Sequence, residues 1–267
     1  MAITTIDDIV SGLASSQDVR FMKNFTAPKA AGAFQSSWLG TGYPGAGVAP
    51  PNHTAGAGYT CSSATTGAMR YTNGSVQNWL ARLMATCTQP GTIILADRLW
   101  SCVINGFAAA TYTITTPGSL PARITDNGVG VEAWVENFIA AGAASGTLTF
   151  NYTNANTGAA KAGVISAVVS APVIGQMQPI PLAVGDTGVR APVSVVTSAT
   201  WTSGTFGLTL LKRIAEVPIP AANIGQVQDW ASLALPAIPN DACLMVFFHA
   251  VNTTAPVLLG SLDIIDK

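Results

Sequence analysis

The sequence predicts a mainly β protein whose body is an antiparallel sandwich, jelly-roll-like in connectivity, and three observations predict it. Short runs of alternating apolar and polar residues follow one another from Thr92 onward. Turn signals rich in Gly, Asn and Pro separate these runs. No strand–helix–strand alternation is visible, which removes the doubly wound α/β folds.

Two helices are expected near the N-terminus. Thr5 is a cap for the first, with Asp7 and Asp8 in its opening turn and Ile6, Ile9, Val10 and Leu13 on one face. A helix this short holds only by docking on something. Ser75 is a cap for the second, in which Val76, Trp79, Leu80, Leu83, Met84 and Cys87 keep helical spacing until Pro90-Gly91. Between them, residues 40–67 are crowded with Gly, Pro, Ala and Thr, including Gly-Tyr-Pro-Gly-Ala-Gly at 42–47, Pro50-Pro51 and Ala-Gly-Ala-Gly at 55–58. With Trp38, Tyr43 and Tyr59 close by, this reads as an ordered arm that reaches a neighbouring molecule.

The strands follow. Thr92–Ile104 and Ala110–Thr115 come first, and then Val129, Val131, Ala133 and Val135 alternate with Glu132, Trp134 and Glu136. Leu148, Phe150 and Tyr152 alternate with Thr147, Thr149, Asn151 and Thr153, and the turn at 154–158 returns the chain as a hairpin over Lys161–Ser170. Further strands are expected over Pro192–Trp201, Phe206–Val217, Ala242–Val251 and Pro256–Ile265, with a bulge where the alternation slips at Leu210-Leu211. A short connecting helix fits Ala221–Ala231. The division of the chain is therefore 1–91 for helix, arm and helix packed on the body, and 92–267 for the sandwich.

Charge is the most informative part of the composition. Only 9% of the 267 residues are charged, where about 25% is usual. Twelve basic residues against 13 acidic ones leave a net charge of −1, which removes the electrostatic basis of nucleic-acid binding. So uncharged a chain stays soluble by a Ser, Thr and Asn surface or by hiding its surface against partners. A membrane span is not expected: the best apolar run, Ala162–Met177, is broken by Ser166, Ser170, Pro172 and Gly175, and about 20 consecutive apolar residues are needed. Residues 1–8 show no basic region followed by an apolar one, so the expectation is a protein made and used in the cytosol. Cys61, Cys87, Cys102 and Cys243 include no CxxC pair and are expected to be reduced core residues. The five Asn-x-Ser/Thr sequons, at Asn24, Asn52, Asn73, Asn151 and Asn252, are expected to stay unmodified.

A search for chemistry finds no catalytic, cofactor or metal constellation. His53, in a loop, and His249, in an apolar strand, are the only histidines, and no G-x-S-x-G or H-E-x-x-H accompanies them. Glu132 and Glu136 share a strand face about 13 Å apart, too far for either glycosidase geometry, and read as a solvated face. Gly185-Asp186-Thr187-Gly188-Val189-Arg190 lacks Walker spacing and reads as a turn in which Asp186 bonds backbone amides and Arg190 pairs with Asp186 or a neighbour. Asp7-Asp8 and Asp263/Asp266 lack the dense acidic loop calcium needs.

Several phrases recur elsewhere: Ile-Thr-Thr-Ile-Asp-Asp-Ile-Val at 3–10, Leu80-Ala81-Arg82-Leu83, Ile94-Leu95-Ala96-Asp97-Arg98-Leu99-Trp100, the runs 126–132, 185–190 and 207–213, and Leu259-Gly260-Ser261-Leu262. Together they resemble structural proteins of tailed bacteriophages. The resemblance implies a non-enzymatic virion component assembled in the host cytoplasm. The missing spine helix disfavours a major shell protein, and a compact β body with terminal arms is similar to head-decoration (cement) proteins. Their implied partners are the major capsid protein and copies of the chain itself as a homotrimer, with no nucleic acid, membrane or cofactor. A tail or baseplate domain, or a host-glycan-binding module using Trp134, Trp201 and Trp230 as sugar platforms, is the alternative.

Overall fold

A computed structural model describes residues 3, 5–54, 59–104, 108–115, 120–143 and 146–266. The Ala-Gly-Ala-Gly part of the expected arm therefore lies outside the described residues. In chain order the elements are α1 (Ile6–Leu13), β1 (Gln17–Asn24), β2 (Phe34–Ser36), β3 (Gly42–Tyr43), β4 (Tyr59–Thr60), β5 (Asn78–Cys87), β6 (Gly91–Ile104), β7 (Thr111–Thr113) and β8 (Val131–Ile139). They continue with β9 (Leu148–Asn154), β10 (Ala160–Ile165), β11 (Gln176–Ile180), β12 (Val189–Thr197), β13 (Thr205–Ile219), β14 (Gln226–Asp229), α2 (Trp230–Leu233), β15 (Ala237–Ile238), β16 (Leu244–Ala250) and β17 (Val257–Asp266). The protein is mainly β, with antiparallel sheets and, among the described residues, two short helices. Among the described residues no helix is long and apolar enough to cross a membrane.

The chain forms two compact units from interleaved segments: residues 1–47, 62–97 and 214–267 make the first, and residues 48–61 and 98–213 the second. The boundary expected at residue 92 falls inside β6. In the first unit one sheet runs β14-β5-β17-β1-β3, with β15 also on β5, and β16 pairs with β2 and with the first half of β6. Its core lies between them. Val19, Phe21, Leu80, Leu83 and Leu262 come from the first sheet, and Ile93, Leu95, Val246 and Phe248 from the second. In the second unit β10-β9-β12-β7 supplies Leu148, Phe150, Tyr152 and Val195, and β11-β8-β13 with the latter half of β6 supplies Val131, Ala133, Val135, Leu208 and Leu210. The sandwich expectation thus holds twice.

The predicted β9–β10 hairpin is present, with Leu148 opposite Ile165 and Thr153 opposite Ala160. The helix expected from Ser75 to Cys87 is instead strand β5, and a bulge explains the misleading spacing. Asp263 pairs with Arg82 but Ile264 pairs with Leu80, so Ala81 is an extra residue. That insertion lengthens the inward repeat from two residues to three between Leu80 and Leu83, which mimics a helical step. The bulge expected at Leu210-Leu211 is absent: Leu210 and Leu211 pair in continuous register with Ala133 and Glu132, and both are buried.

Two positions of β17, three residues apart, test this reading. Leu262 is fully buried in the first unit's core, and Leu259 is 43% exposed on the other face. Leu262→Ala is expected to cost about 2–5 kcal/mol in urea unfolding. Leu259→Ala should change stability by no more than about 0.5 kcal/mol.

Candidate functional site

The histidines and carboxylates singled out in the sequence stand apart, each with its own structural partners. His249 on β16 stacks on Phe34, with ring centroids 4.3 Å apart and planes 13° from parallel. His53 meets the edge of Tyr112 at 5.6 Å, its backbone N–H donates to the Val103 carbonyl, and its buried Nδ1 has no hydrogen-bond partner. Glu132 forms an ion pair with Arg213 at 2.9 Å and accepts from Trp134 Nε1–H at 2.9 Å.

Glu136 overturns the solvated-face expectation. Its side chain is 1% exposed and sits 2.7 Å from the guanidinium of Arg98, which is fully buried. Arg98 Nη2–H groups also donate to Ser101 Oγ and Thr209 Oγ1, and Thr209 Oγ1–H donates to Glu136 Oε2 at 2.6 Å. Sequence reasoning passed over Arg98. The available signal was a charged Asp97-Arg98 step inside an otherwise apolar run from Ile93 to Trp100. Asp97 is also buried, 2% exposed, and accepts from the Cys243 backbone N–H at 2.8 Å.

The Gly185–Arg190 loop is a turn, with different partners from those expected. Asp186 accepts from Tyr152 Oη–H at 2.5 Å and Asn154 Nδ2–H at 2.9 Å, and Tyr152 Oη in turn accepts from the Ala183 backbone N–H. These side-chain donors hold the Asp186 carboxyl below its ordinary value, and burial with the same carboxylate pushes Tyr152 up to about 12. Arg190 forms no ion pair among the described residues. The proposed sugar platforms are packing residues: Trp134 is fully buried, Trp201 is 6% exposed against Phe206, and Trp230 packs beside Ile9 and Ile265. All four cysteines are buried and unbridged. Asp263 pairs with Arg82 and Asp266 accepts from the Ser75 backbone N–H. No group of acidic, histidine or cysteine side chains among the described residues could hold a metal ion.

What the first unit does leave open is an apolar surface. Helix α1 begins with the expected Thr5 cap, closed reciprocally by Asp8. Ile9 and Gly12 face β17, where a Cβ on Gly12 would lie 3.2 Å from Ile265 Cδ1. Ile6 and Val10, one turn apart, face away and are 63% and 61% exposed. The four apolar residues expected on one face are therefore split between a docked face and a bare one. The outer face of the neighbouring sheet is also partly bare, with Met22 opposite Leu259 and Met84 opposite Val227.

The 40–47 segment, expected to reach a neighbour, is bound to its own unit. Gly42 has φ +131°, and a Cβ there would fall 2.0 Å from the Met22 carbonyl oxygen, so only glycine fits beside β1. Lys23, 2% exposed, donates from Nζ to the carbonyls of Gly40 and Gly45 at 3.4 and 3.2 Å, clamping the segment on both sides of Tyr43. Burial lowers its ammonium to about 8.

No protein-family model matches the chain, and no curated protein sequence matches it. Among solved structures, the structure of infectious bursal disease virus, Gx strain, is similar over 93% of this chain and 79% of that one, at 10% identity and a TM-score of 0.17. A likeness that slight carries no argument about fold or role.

Glu136→Gln removes the carboxylate that the buried Arg98 guanidinium meets at 2.7 Å, and is expected to cost about 3–5 kcal/mol in chemical unfolding. Replacing Arg98 and Glu136 together by apolar residues of similar volume should recover most of that loss. For Lys23 the folded state sheds its proton near pH 8 and the unfolded chain near 10.5. Between those values the unfolded state binds more protons, so this group adds stability as pH rises. Tyr152 and Cys102, both pushed up to about 12, act oppositely. The test is therefore a difference: from pH 8 to 10 the stability of the natural chain should rise relative to Lys23→Met.

Proposed function

We propose that this chain is a non-enzymatic structural component of a tailed-bacteriophage particle that decorates and stabilises the capsid, attached through helix α1. The observation that carries the reading is the bare apolar pair Ile6 and Val10 on α1. The helix is fixed to its own unit by the opposite face, and its cap is complete, so it needs no second apolar face for its own folding. Fully burying an Ile or Val side chain contributes about 1.5–3 kcal/mol, which makes this pair suited to a partner surface. A chain with 9% charged residues has few other means of specific attachment, because long-range steering is weak at a net charge of −1. The β-rich body and the phrases similar to virion proteins support the same reading. Its partners are the major capsid protein and further copies of the chain, arranged as a trimer.

The test separates attachment from folding. Ile6→Glu with Val10→Lys replaces the apolar pair by an i, i+4 ion pair that supports the helix. The double variant should unfold at the same temperature as the natural chain within about 2 °C, the scale of a few tenths of a kcal/mol. It should also bind particles lacking this protein at least ~10-fold more weakly, a loss of about 1.4 kcal/mol, as read by co-sedimentation. The natural chain should be present at near one copy per capsid subunit. Unchanged binding by the double variant, or only a few copies per particle, overturns the reading.

A further inference from the structure

The first unit contains a cleft of about 550 Å³ whose walls come from three separate stretches: Asp18 and Arg20 of β1, Tyr43 of β3 with Pro44 after it, and the returning segment from Thr66 to Arg70. That volume lies within the range of small-ligand sites, about 300–1,000 Å³. We infer that this cleft binds an acidic saccharide, with Tyr43 as the stacking platform and Arg70 as the carboxylate anchor.

Three features of the cleft carry the assignment. The first is Tyr43. It is 63% exposed, while Trp38, Trp100, Trp134 and Trp201 are all buried. An exposed aromatic ring is costly to hold still, yet Tyr43 stands on a fixed base: it pairs with Met22 in the sheet, Gly42 lies against the Met22 carbonyl, and Lys23 bonds the carbonyls of Gly40 and Gly45 on either side. A rigid aromatic with an apolar body and a polar tip matches the C–H face and hydroxyl rim of a sugar ring. The second is charge. Asp18 and Arg20 neutralise one another at 2.7 Å, whereas Arg70 gives one Nη2–H to the Ala64 carbonyl at 2.8 Å and forms no ion pair among the described residues. The cleft is thus left with one uncompensated guanidinium, whose planar fork suits a carboxylate. The third is the supply of hydroxyl partners. The Asp18 carboxylate accepts, and Thr66 both donates and accepts, which is the mixture a polyhydroxylated ligand requires.

A phosphate or nucleotide fits less well. The cleft shows no glycine-rich turn leading into a helix that would aim backbone N–H groups at a phosphate, and α1, the longer of the two helices, does not line it. The inference is independent of the attachment role given to α1, since neither Ile6 nor Val10 lines the cleft.

The experiment is calorimetric titration of the full chain with oligosaccharides containing glucuronic, galacturonic or N-acetylneuraminic acid, each beside its carboxyl-reduced neutral counterpart. At least one acid is expected to bind saturably at one site per chain, and at least ~10-fold more tightly than its reduced form. Tyr43→Ala should weaken both by at least ~10-fold and Tyr43→Phe should restore them. Arg70→Gln should abolish the preference for the acid and leave binding of the neutral form unchanged. Both positions are exposed, and matching thermal unfolding of the variants confirms their folding. The assignment is overturned if no acid binds at millimolar concentration, if Tyr43→Ala binds like the natural chain, or if inorganic phosphate competes as well as the acid does.

Discussion

In the second unit the fully buried guanidinium of Arg98 pairs with the carboxylate of Glu136, and the surrounding strands are arranged so that the two can meet. Arg98 comes from β6, Glu136 from β8 and Thr209 from β13, so three strands are tied at one point. A buried ion pair of this kind adds little net stability, because desolvation offsets the attraction. What it does is penalise alternatives. A one-residue slip of β8 against β13 would carry Glu136 to the opposite face, away from the buried guanidinium of Arg98. The pair therefore fixes register in a unit whose other inward residues (Val, Ala, Leu, Phe) could be exchanged for one another with modest loss.

The same economy governs the first unit, with different partners. Asp97 answers a backbone N–H, and Lys23 answers two carbonyls of the segment carrying Tyr43. Gln35 is fully buried with neither amide atom hydrogen-bonded, at a cost of about 1–3 kcal/mol per group. Lys23 thus fixes a loop, and Arg98 with Glu136 fixes a register.

The fold class was legible because alternation is a direct imprint of a half-buried strand: β9 and β17 could be drawn to within a residue or two. What escaped did so for identifiable reasons. Strand β5 looked helical because the extra residue Ala81 stretches one inward step to three. Glu136 looked solvated because its strand face also carries Glu132, which is 36% exposed and paired with Arg213. The inside of a face can differ along a single strand, and pattern alone averages over it. Trp134, flanked by glutamates, looked wet for the same reason, whereas its indole N–H is used by Glu132 and its ring lies 5.6 Å from the Arg213 guanidinium. Tyr43 drew notice only as part of a Gly/Pro arm; nothing local to it announces Lys23, which is 20 residues earlier and acts from another strand.

Attachment and ligand binding, as proposed, make different demands on the first unit, and different residues meet them. Helix α1 lies against Ile265, and β1 meets that end of β17 where Gln17 pairs with Ile264. Tyr43 pairs with Met22, five residues further along β1, or about 17 Å at the rise of an extended strand. The cleft runs along β1 from Asp18 and Arg20 to Tyr43 opposite Met22, and neither Ile6 nor Val10 lines it. Both regions are apolar or aromatic groups in solvent on a fixed base: Tyr43 on a segment that Lys23 clamps, Ile6 and Val10 on a helix docked by its opposite face. That fixed outward placement is the physical ground on which both proposals rest.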